Sequence, residues 1–167
     1  KNPLTRALRV DKMTLAALEA TLRLYRDDRQ ALAEIPTLQM IAIPLESLKK
    51  QAEELAQLIR QVDSAGRLQV TVRQNVSQVG GGSLPGQYLP TFVVAVNSPA
   101  VTTQQIETKL RSGSPPVIGR IESDQYLLDP RTIQATPPVS ADAQTRAELR
   151  TEFTRTLAAL IENCVEV

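Results

Sequence analysis

No histidine occurs among the 167 residues of the sequence. Histidine is the usual general base near neutral pH and the commonest metal ligand in proteins. Its absence excludes Ser-His-Asp and Cys-His catalytic sites, and most zinc sites, from within this chain. We therefore expect no metal site here.

Cysteine is almost as scarce, since Cys164 is the only one. A single cysteine cannot form an internal disulfide, which argues against a secreted scaffold held by disulfides and is typical of a protein from the reducing cytoplasm. We expect Cys164 to be a small core residue.

Aromatic residues are also scarce, and the net charge is small. The chain has three tyrosines, two phenylalanines and no tryptophan, which argues against a platform for stacking single-stranded bases. Nineteen basic and eighteen acidic residues give a net charge of +1, so any contact with RNA must be local. No apolar run approaches the roughly 20 residues that span a bilayer, and we expect no membrane insertion.

Helical spacing of apolar residues is the clearest pattern that is present. A stripe from Leu15 to Tyr25 predicts an amphipathic helix, and a shorter helical segment follows up to Pro36. The strongest stripe runs from Leu45 to Val62 and predicts a helix packed on a sheet or on a neighbouring helix. Thr102 or Thr103 can begin a further helix that ends near Leu110.

Alternating apolar and polar residues begin after Gly66 and predict a half-buried strand from Leu68 to Val76. The segment Thr91–Val96 is apolar on both faces, as in a central strand. Two short strands, Val117–Ile121 and Gln125–Leu128, are joined by a turn at Ser123-Asp124. A last helix, capped by Ser140, has the apolar face Leu149, Phe153, Leu157, Leu160 and Cys164. The order predicts an α+β fold with about four mostly antiparallel strands and helices on one face, preceded by N-terminal helices.

Arg6 and Arg9 are the best binding candidates on grounds of charge. Asn2-Pro3 can begin a short helix that continues to Arg9 and presents both arginines on one face. Two guanidinium groups on one face can bind a phosphate or a similar anion in bidentate fashion. The alternative is an ordinary solvated basic surface, which the pattern alone favours.

The segment Gly80-Gly81-Gly82-Ser83-Leu84-Pro85-Gly86 is too rich in glycine for a regular element. Its backbone N–H groups could approach a phosphate, although it matches neither a dinucleotide-binding fingerprint nor a P-loop. The alternative is a plain connection between strands. Gly119 suggests a bulge or a close approach of two backbones, and Arg120 beside it points to a site or to solvent.

Several strings, taken together, resemble the C-terminal third of bacterial selenocysteine synthase, also called L-seryl-tRNA(Sec) selenium transferase. They cover residues 1–133, and residues 134–167 carry no matching motif. The strings are Lys1-Asn2-Pro3-Leu4, Arg6-Ala7-Leu8-Arg9-Val10-Asp11-Lys12, Thr14-Leu15-Ala16-Ala17-Leu18-Glu19-Ala20-Thr21-Leu22, Glu34-Ile35-Pro36-Thr37, Gly80-Gly81-Gly82-Ser83-Leu84-Pro85, Pro115-Pro116-Val117-Ile118-Gly119-Arg120-Ile121 and Leu127-Leu128-Asp129-Pro130-Arg131-Thr132.

The resemblance implies a fold-type I enzyme dependent on pyridoxal 5'-phosphate, with its attachment lysine upstream of Lys1. It implies that residues 1–36 end the large domain and that residues 37–167 form the C-terminal small domain. Such an enzyme converts seryl-tRNA(Sec) into selenocysteinyl-tRNA(Sec) with selenophosphate as donor, as a cytoplasmic homo-oligomer of dimers assembled into a ring.

For individual residues, the resemblance implies that Arg6 and Arg9 bind selenophosphate and that no residue of this chain is catalytic or binds the cofactor. Gly80, Gly81, Gly82 and Ser83 border the active site or the aminoacyl end of the tRNA in this interpretation. We expect the isolated chain to be inactive. Two alternatives stay open: a related fold-type I enzyme acting on another substrate derived from serine or cysteine, and a non-catalytic α+β module for oligomerisation or ligand binding.

Overall fold

The computed structural model describes residues 9–80, 86–133 and 143–164. Within these ranges the chain forms six helices and four strands, which confirms the predicted α+β class. In chain order they are α1 (Lys12–Leu24), α2 (Asp28–Glu34), α3 (Pro36–Ala42), α4 (Leu45–Val62), β1 (Gln69–Gln78), β2 (Tyr88–Asn97), α5 (Thr103–Arg111), β3 (Arg120–Glu122), β4 (Gln125–Leu128) and α6 (Ala143–Asn163).

The chain divides into two compact units, Lys1–Ala42 and Ile43–Val167. In the first unit, Asp11 precedes α1 in an extended conformation, and its carboxylate accepts a hydrogen bond of 2.9 Å from the N–H of Thr14. This bond to an otherwise unpaired N–H lowers the pKa of Asp11. Asp27 caps α2 in the same way.

The amphipathic pattern of α1 is confirmed as a helix, but its apolar side is not buried. Leu15, Leu18, Leu22 and Tyr25 are each slightly more than half exposed, between 51% and 56%. The helix has no buried residue. The periodicity therefore predicted the helix correctly, whereas it could not tell what the stripe packs against.

In the second unit, the strands form one antiparallel sheet in the order β1-β2-β4-β3. The central position predicted for the strand at Thr91–Val96 is confirmed, since β2 lies between β1 and β4. The strand predicted from Val117 begins only at Arg120. The reason is that the N–H of Gly119 bonds to the hydroxyl of Tyr126, at 2.6 Å, instead of to a neighbouring backbone.

The main core lies between one face of the sheet and helices α4, α5 and α6. Helix α4 packs against both the sheet and α6. Its apolar stripe was predicted to pack on a sheet or on a neighbouring helix, and it does both. The fully buried side chains here include Ile59, Val94, Ile106, Tyr126 and Ile161. Cys164 is buried in this core, as predicted, and burial raises the pKa of its thiol.

The second face of the sheet carries a small buried cluster of Val93, Ala95 and Leu127. The two outermost strands are joined across this face. The carboxylate of Glu122 in β3 accepts hydrogen bonds from Arg73, at 3.2 Å, and from Asn75, at 2.8 Å, both in β1. Because β2 and β4 separate these strands in the sheet, the sheet must curl toward this face for the side chains to meet.

Candidate functional site

Arg9, one of the two predicted anion-binding arginines, is exposed and lies just before α1. Arg9 and Val10 are not helical and precede the cap at Asp11, and the rest of the short helix expected up to Arg9 lies outside the described residues. Arg6 lies outside the described residues. The pairing of the two arginines therefore stays a prediction.

The glycine-rich segment is described only at its ends. Gly80 and Gly86 have φ values of +94° and +80°, a conformation that side chains other than glycine rarely adopt. A Cβ at either position would meet no atom within 4 Å, so it is the turn that requires glycine there. Gly81, Gly82 and Ser83 lie outside the described residues, and the role expected for this segment stays a prediction.

Arg120, the third candidate, reaches the backbone of the opposite edge strand. Its Nη2 donates a hydrogen bond of 2.9 Å to the carbonyl oxygen of Val76. The close approach expected at Gly119 is confirmed, since a Cβ there would lie 2.5 Å from the carbonyl oxygen of Leu127. Glycine at position 119 thus lets the segment before β3 lie against β4.

A buried polar cluster that the sequence analysis did not identify lies where β1 ends, β2 begins and β4 ends. Its centre is the carboxylate of Asp129, which is 7% exposed. The hydroxyls of Ser77 and Thr91 donate to its two oxygens at 2.6 and 2.9 Å. The N–H of Arg131 adds a bond of 3.0 Å. One carboxylate thus joins three separate segments of the chain.

Arg131 extends this cluster to the first residues of β2. Its side chain is 5% exposed, and Nη2 donates to the carbonyl oxygen of Pro90 at 2.7 Å. One sequence signal could have identified Asp129, namely the string Asp129-Pro130-Arg131 directly after an apolar strand. An Asp in that position commonly accepts N–H bonds from the following turn. Nothing in the spacing identified Ser77 and Thr91 as its partners.

The described lysines do not fit the role of a cofactor attachment site. Lys12 is exposed at the start of α1, Lys50 pairs with Glu54, and Lys109 donates to the carbonyl oxygen of Cys164. Lys49 lies over the ring of Phe92, 6.0 Å from its centre. None of them lines the groove between α4, α6 and the segment after β4.

A groove of about 430 Å³ between α4, α6 and the segment after β4 is also a poor match for an anionic cofactor. Its described lining is apolar and amide-rich, with Leu58, Ile133, Gln57 and Gln61, and includes no basic residue. A phosphate group in a protein needs cationic or N–H donors. The described lining of this groove therefore does not fit the phosphate group of pyridoxal phosphate.

Two further features are absent from the described segments. No cluster of three or more Asp, Glu or Cys side chains there could hold a metal ion. No helix in the same segments combines the length and hydropathy of a membrane-spanning helix.

The fold defines the second unit as a small α+β domain with a four-stranded antiparallel sheet and helices on one face. Residues 1–134 match the model of one protein family, described as L-seryl-tRNA selenium transferase. The chain belongs to this family, which confirms the resemblance found in the sequence.

Curated relatives carry the name L-seryl-tRNA(Sec) selenium transferase. The protein from Maridesulfovibrio salexigens is 52% identical over 134 residues, and the one from Geobacter sulfurreducens is 50% identical over 134 residues. A protein from Clostridium botulinum is 47% identical over 133 residues. Each alignment covers 80% of this chain but only 28–29% of the relative. The chain thus spans less than a third of the length of the relatives that it matches.

Proposed function

We propose that this chain is the C-terminal part of a longer enzyme that converts seryl-tRNA(Sec) into selenocysteinyl-tRNA(Sec), with selenophosphate as the selenium donor. The observation that carries the proposal is the identity of about one half to relatives named for this transfer, over four fifths of the chain. The proposal includes tRNA(Sec) as a partner, a cytoplasmic location and a homo-oligomer of dimers.

Pyridoxal phosphate would supply the chemistry of this enzyme, and its attachment lysine would lie outside this chain. The environments of the four described lysines support that part of the proposal, since each is exposed or engaged on a surface. The isolated chain is then inactive, and no residue of it is catalytic. Fold-type I architecture for the whole enzyme belongs to the same proposal.

The domain assignment is also proposed: residues 1–36 end the large domain, and residues 37–167 form the small domain. The exposed apolar stripe of α1 supports it, because four large side chains half exposed on one helix are typical of a surface that another part of a protein covers. In this proposal the large domain covers the stripe.

Arg6 and Arg9 are proposed to bind selenophosphate. Arg9 is exposed and forms no ion pair with any described residue, so its five N–H donors are available to an anion. Charge-assisted, bidentate bonds to phosphate oxygens are the strongest that an arginine side chain makes. The Gly80–Ser83 segment is proposed to border the site that receives the aminoacyl end of the tRNA.

The test replaces Arg6 and Arg9 singly with alanine in the full-length enzyme. Each variant should use selenophosphate about 10- to 100-fold less efficiently, the ratio expected for one charge-assisted contact. The measurement is kcat/KM for selenophosphate, together with the absorbance of the bound cofactor and the affinity for seryl-tRNA(Sec), both of which should stay unchanged.

Arg26→Ala is the matched control, because Arg26 is an exposed arginine of the same unit. It should behave like the unmodified enzyme. Unchanged selenium transfer in both Arg6→Ala and Arg9→Ala would refute their role in donor binding, while the family membership would be unaffected.

A further inference from the structure

The outer edge of β1 is the longest unpaired strand edge among the described residues. The strand has ten residues, and β2 is its only neighbour in the sheet. An unpaired edge exposes N–H and C=O groups that can pair with a strand of another molecule. The pairing register of the sheet determines which backbone groups of β1 lie on this outer edge.

The turn between β3 and β4 fixes that register. It consists of Ser123 and Asp124, whose φ values are +51° and +57°, so Glu122 and Gln125 form the hydrogen-bonded pair that closes it. Gln125 therefore bonds to β3. Because the hydrogen-bonding direction alternates along a strand, Tyr126 and Leu128 bond to β2 on the other side of β4.

The same alternation continues across β2 and into β1. The odd-numbered residues of β1 bond to β2, and the even-numbered ones point to the outer edge. The exposed backbone groups of β1 therefore belong to Val70, Val72, Gln74, Val76 and Gln78.

Side chains occupy the two ends of this edge. Arg60 of α4 donates to the carbonyl oxygen of Val70 at 2.7 Å. At the other end, Arg120 donates to the carbonyl oxygen of Val76, and the side-chain oxygen of Asn75 accepts the Val76 N–H at 2.7 Å. Val70 keeps only its N–H free of a bond to a described residue, whereas Val72, Gln74 and Gln78 keep both of their edge groups free.

Each way of pairing β1 with its own copy in antiparallel orientation then meets an obstacle. If Val72 lies opposite Gln74 of the copy, Arg73 lies opposite Arg73. The two like charges repel across the strand pair, and each of them keeps its ion pair with Glu122 of its own chain. If Val72 lies opposite Val72, Gln74 needs Val70, whose carbonyl oxygen Arg60 holds. If Gln74 lies opposite Gln74, Val72 needs Val76, which Asn75 and Arg120 hold. Registers shifted further along the strand also place Val70 or Val76 in a bonding pair.

We propose that Arg60, Asn75 and Arg120, together with the central Arg73, form an edge guard that prevents β1 from pairing with the same strand of a second copy. The inference does not rest on the proposed enzymatic function. It also means that the homo-oligomer proposed above does not assemble through this edge.

The test removes the guard at Val76 with the double variant Asn75→Ala and Arg120→Ala in the 167-residue chain. Freeing both groups of Val76 opens the register in which Gln74 lies opposite Gln74. Sedimentation velocity over a concentration series should then show self-association about tenfold or more tighter than in the parent chain, the ratio expected when further backbone hydrogen bonds form.

Arg155→Ala is the control for charge, because Arg155 is exposed on α6 and the substitution lowers the net charge by the same single unit. It should associate like the parent. If the double variant associates no more strongly than Arg155→Ala, the proposal is overturned.

A second measurement identifies the register. In the opened register the two Gln74 Cα atoms lie about 5.5 Å apart, within the span of a disulfide. Gln74→Cys in the guard variant should give an oxidised dimer linked at position 74, whereas Gln74→Cys in the parent should give little. Equal yields in the two backgrounds would overturn the proposal.

Circular dichroism checks that the double variant is folded. If it is not, the single variants Asn75→Ala and Arg120→Ala carry the test with the same two measurements. The absence of any gain in association and cross-linking in both single variants would likewise overturn the edge guard.

Discussion

Asp129 joins three segments that are far apart in the sequence, through Ser77, Thr91 and the N–H of Arg131. Its replacement by alanine leaves two hydroxyls and one N–H without their acceptor in a buried place. Each unmet buried donor costs about 1–3 kcal/mol. We therefore expect Asp129→Ala to lower the free energy of unfolding by about 3–5 kcal/mol in urea denaturation. This is the lower part of the sum, because the Thr91 hydroxyl can turn to the carbonyl oxygen of Phe92.

A double-mutant cycle with Ser77→Ala separates this network from a general effect of the substitution. Once Ser77 is alanine, Asp129→Ala should cost less, since one of the hydroxyls is already gone. Strict additivity of the two changes would contradict the network. Glu46→Ala, on the exposed start of α4, is the matched carboxylate control and should change stability by less than about 0.5 kcal/mol.

Tyr126 is the residue whose ionisation should be visible in the stability of the fold. Burial raises its pKa above the ordinary value of 10.0, and its hydroxyl accepts from Gly119 and donates to Val117. The folded state thus holds the proton more tightly than the unfolded state. The stabilisation is complete below pH 10 and is lost as the pH rises through the folded pKa.

The measurement is an ultraviolet absorbance titration of the chain and of Tyr126→Phe. The difference between the two curves should show one phenol that ionises above pH 10. The free energy of unfolding of the parent should decrease with pH in that range more steeply than that of Tyr126→Phe. A difference curve centred at or below pH 10 would be the contrary result.

Among the elements, α6 has the least support from sequence motifs and a large share of the core. Its first half carried two of the predicted apolar residues, Leu149 and Phe153, whose side chains lie outside those described, as does the predicted cap Ser140. Its second half places Leu157, Ala158, Ile161 and Cys164 against the main core. The apolar spacing therefore predicted the helix and the burial of Leu157 and Cys164 correctly. It missed Ala158 and Ile161, and Leu160 of the predicted face is only partly buried.

Ile161 gives the prediction for this element. It is fully buried, so Ile161→Ala should lower the free energy of unfolding by about 2–5 kcal/mol, the range for a large side chain removed from a core. Glu152→Ala, at an exposed position of the same helix, should have a much smaller effect. Equal effects in the two variants would show that α6 does not contribute to the core through this face.

The elements that the sequence predicted well share one physical property: their periodicity is local. Helix α4 and strand β2 were assigned correctly from spacing and from apolar residues on both faces. The start of β3 was not, because a side chain from β4 bonds to Gly119 in place of a backbone partner. A contact between residues distant in the sequence leaves no periodic signal.

At the scale of the whole molecule, composition and the order of elements predicted the general features of the chain. Features that depend on contacts between residues distant in the sequence were not predicted. The lack of histidine excluded classes of active site, and the order of elements predicted the sheet with helices on one face. The cluster at Asp129 and the bridges from Glu122 to β1 were not predictable, since both depend on how the sheet curls. Arg120 was expected to point to a site or to solvent, and its contact with the carbonyl oxygen of Val76 required the structure.

The position of α6 has a consequence for how the domain is delimited. The family match stops at residue 134, before α6 begins, yet α6 covers the side of α4 that includes Leu55 and Ile59. The limit of recognisable ancestry and the limit of the cooperative folding unit are therefore different points on this chain.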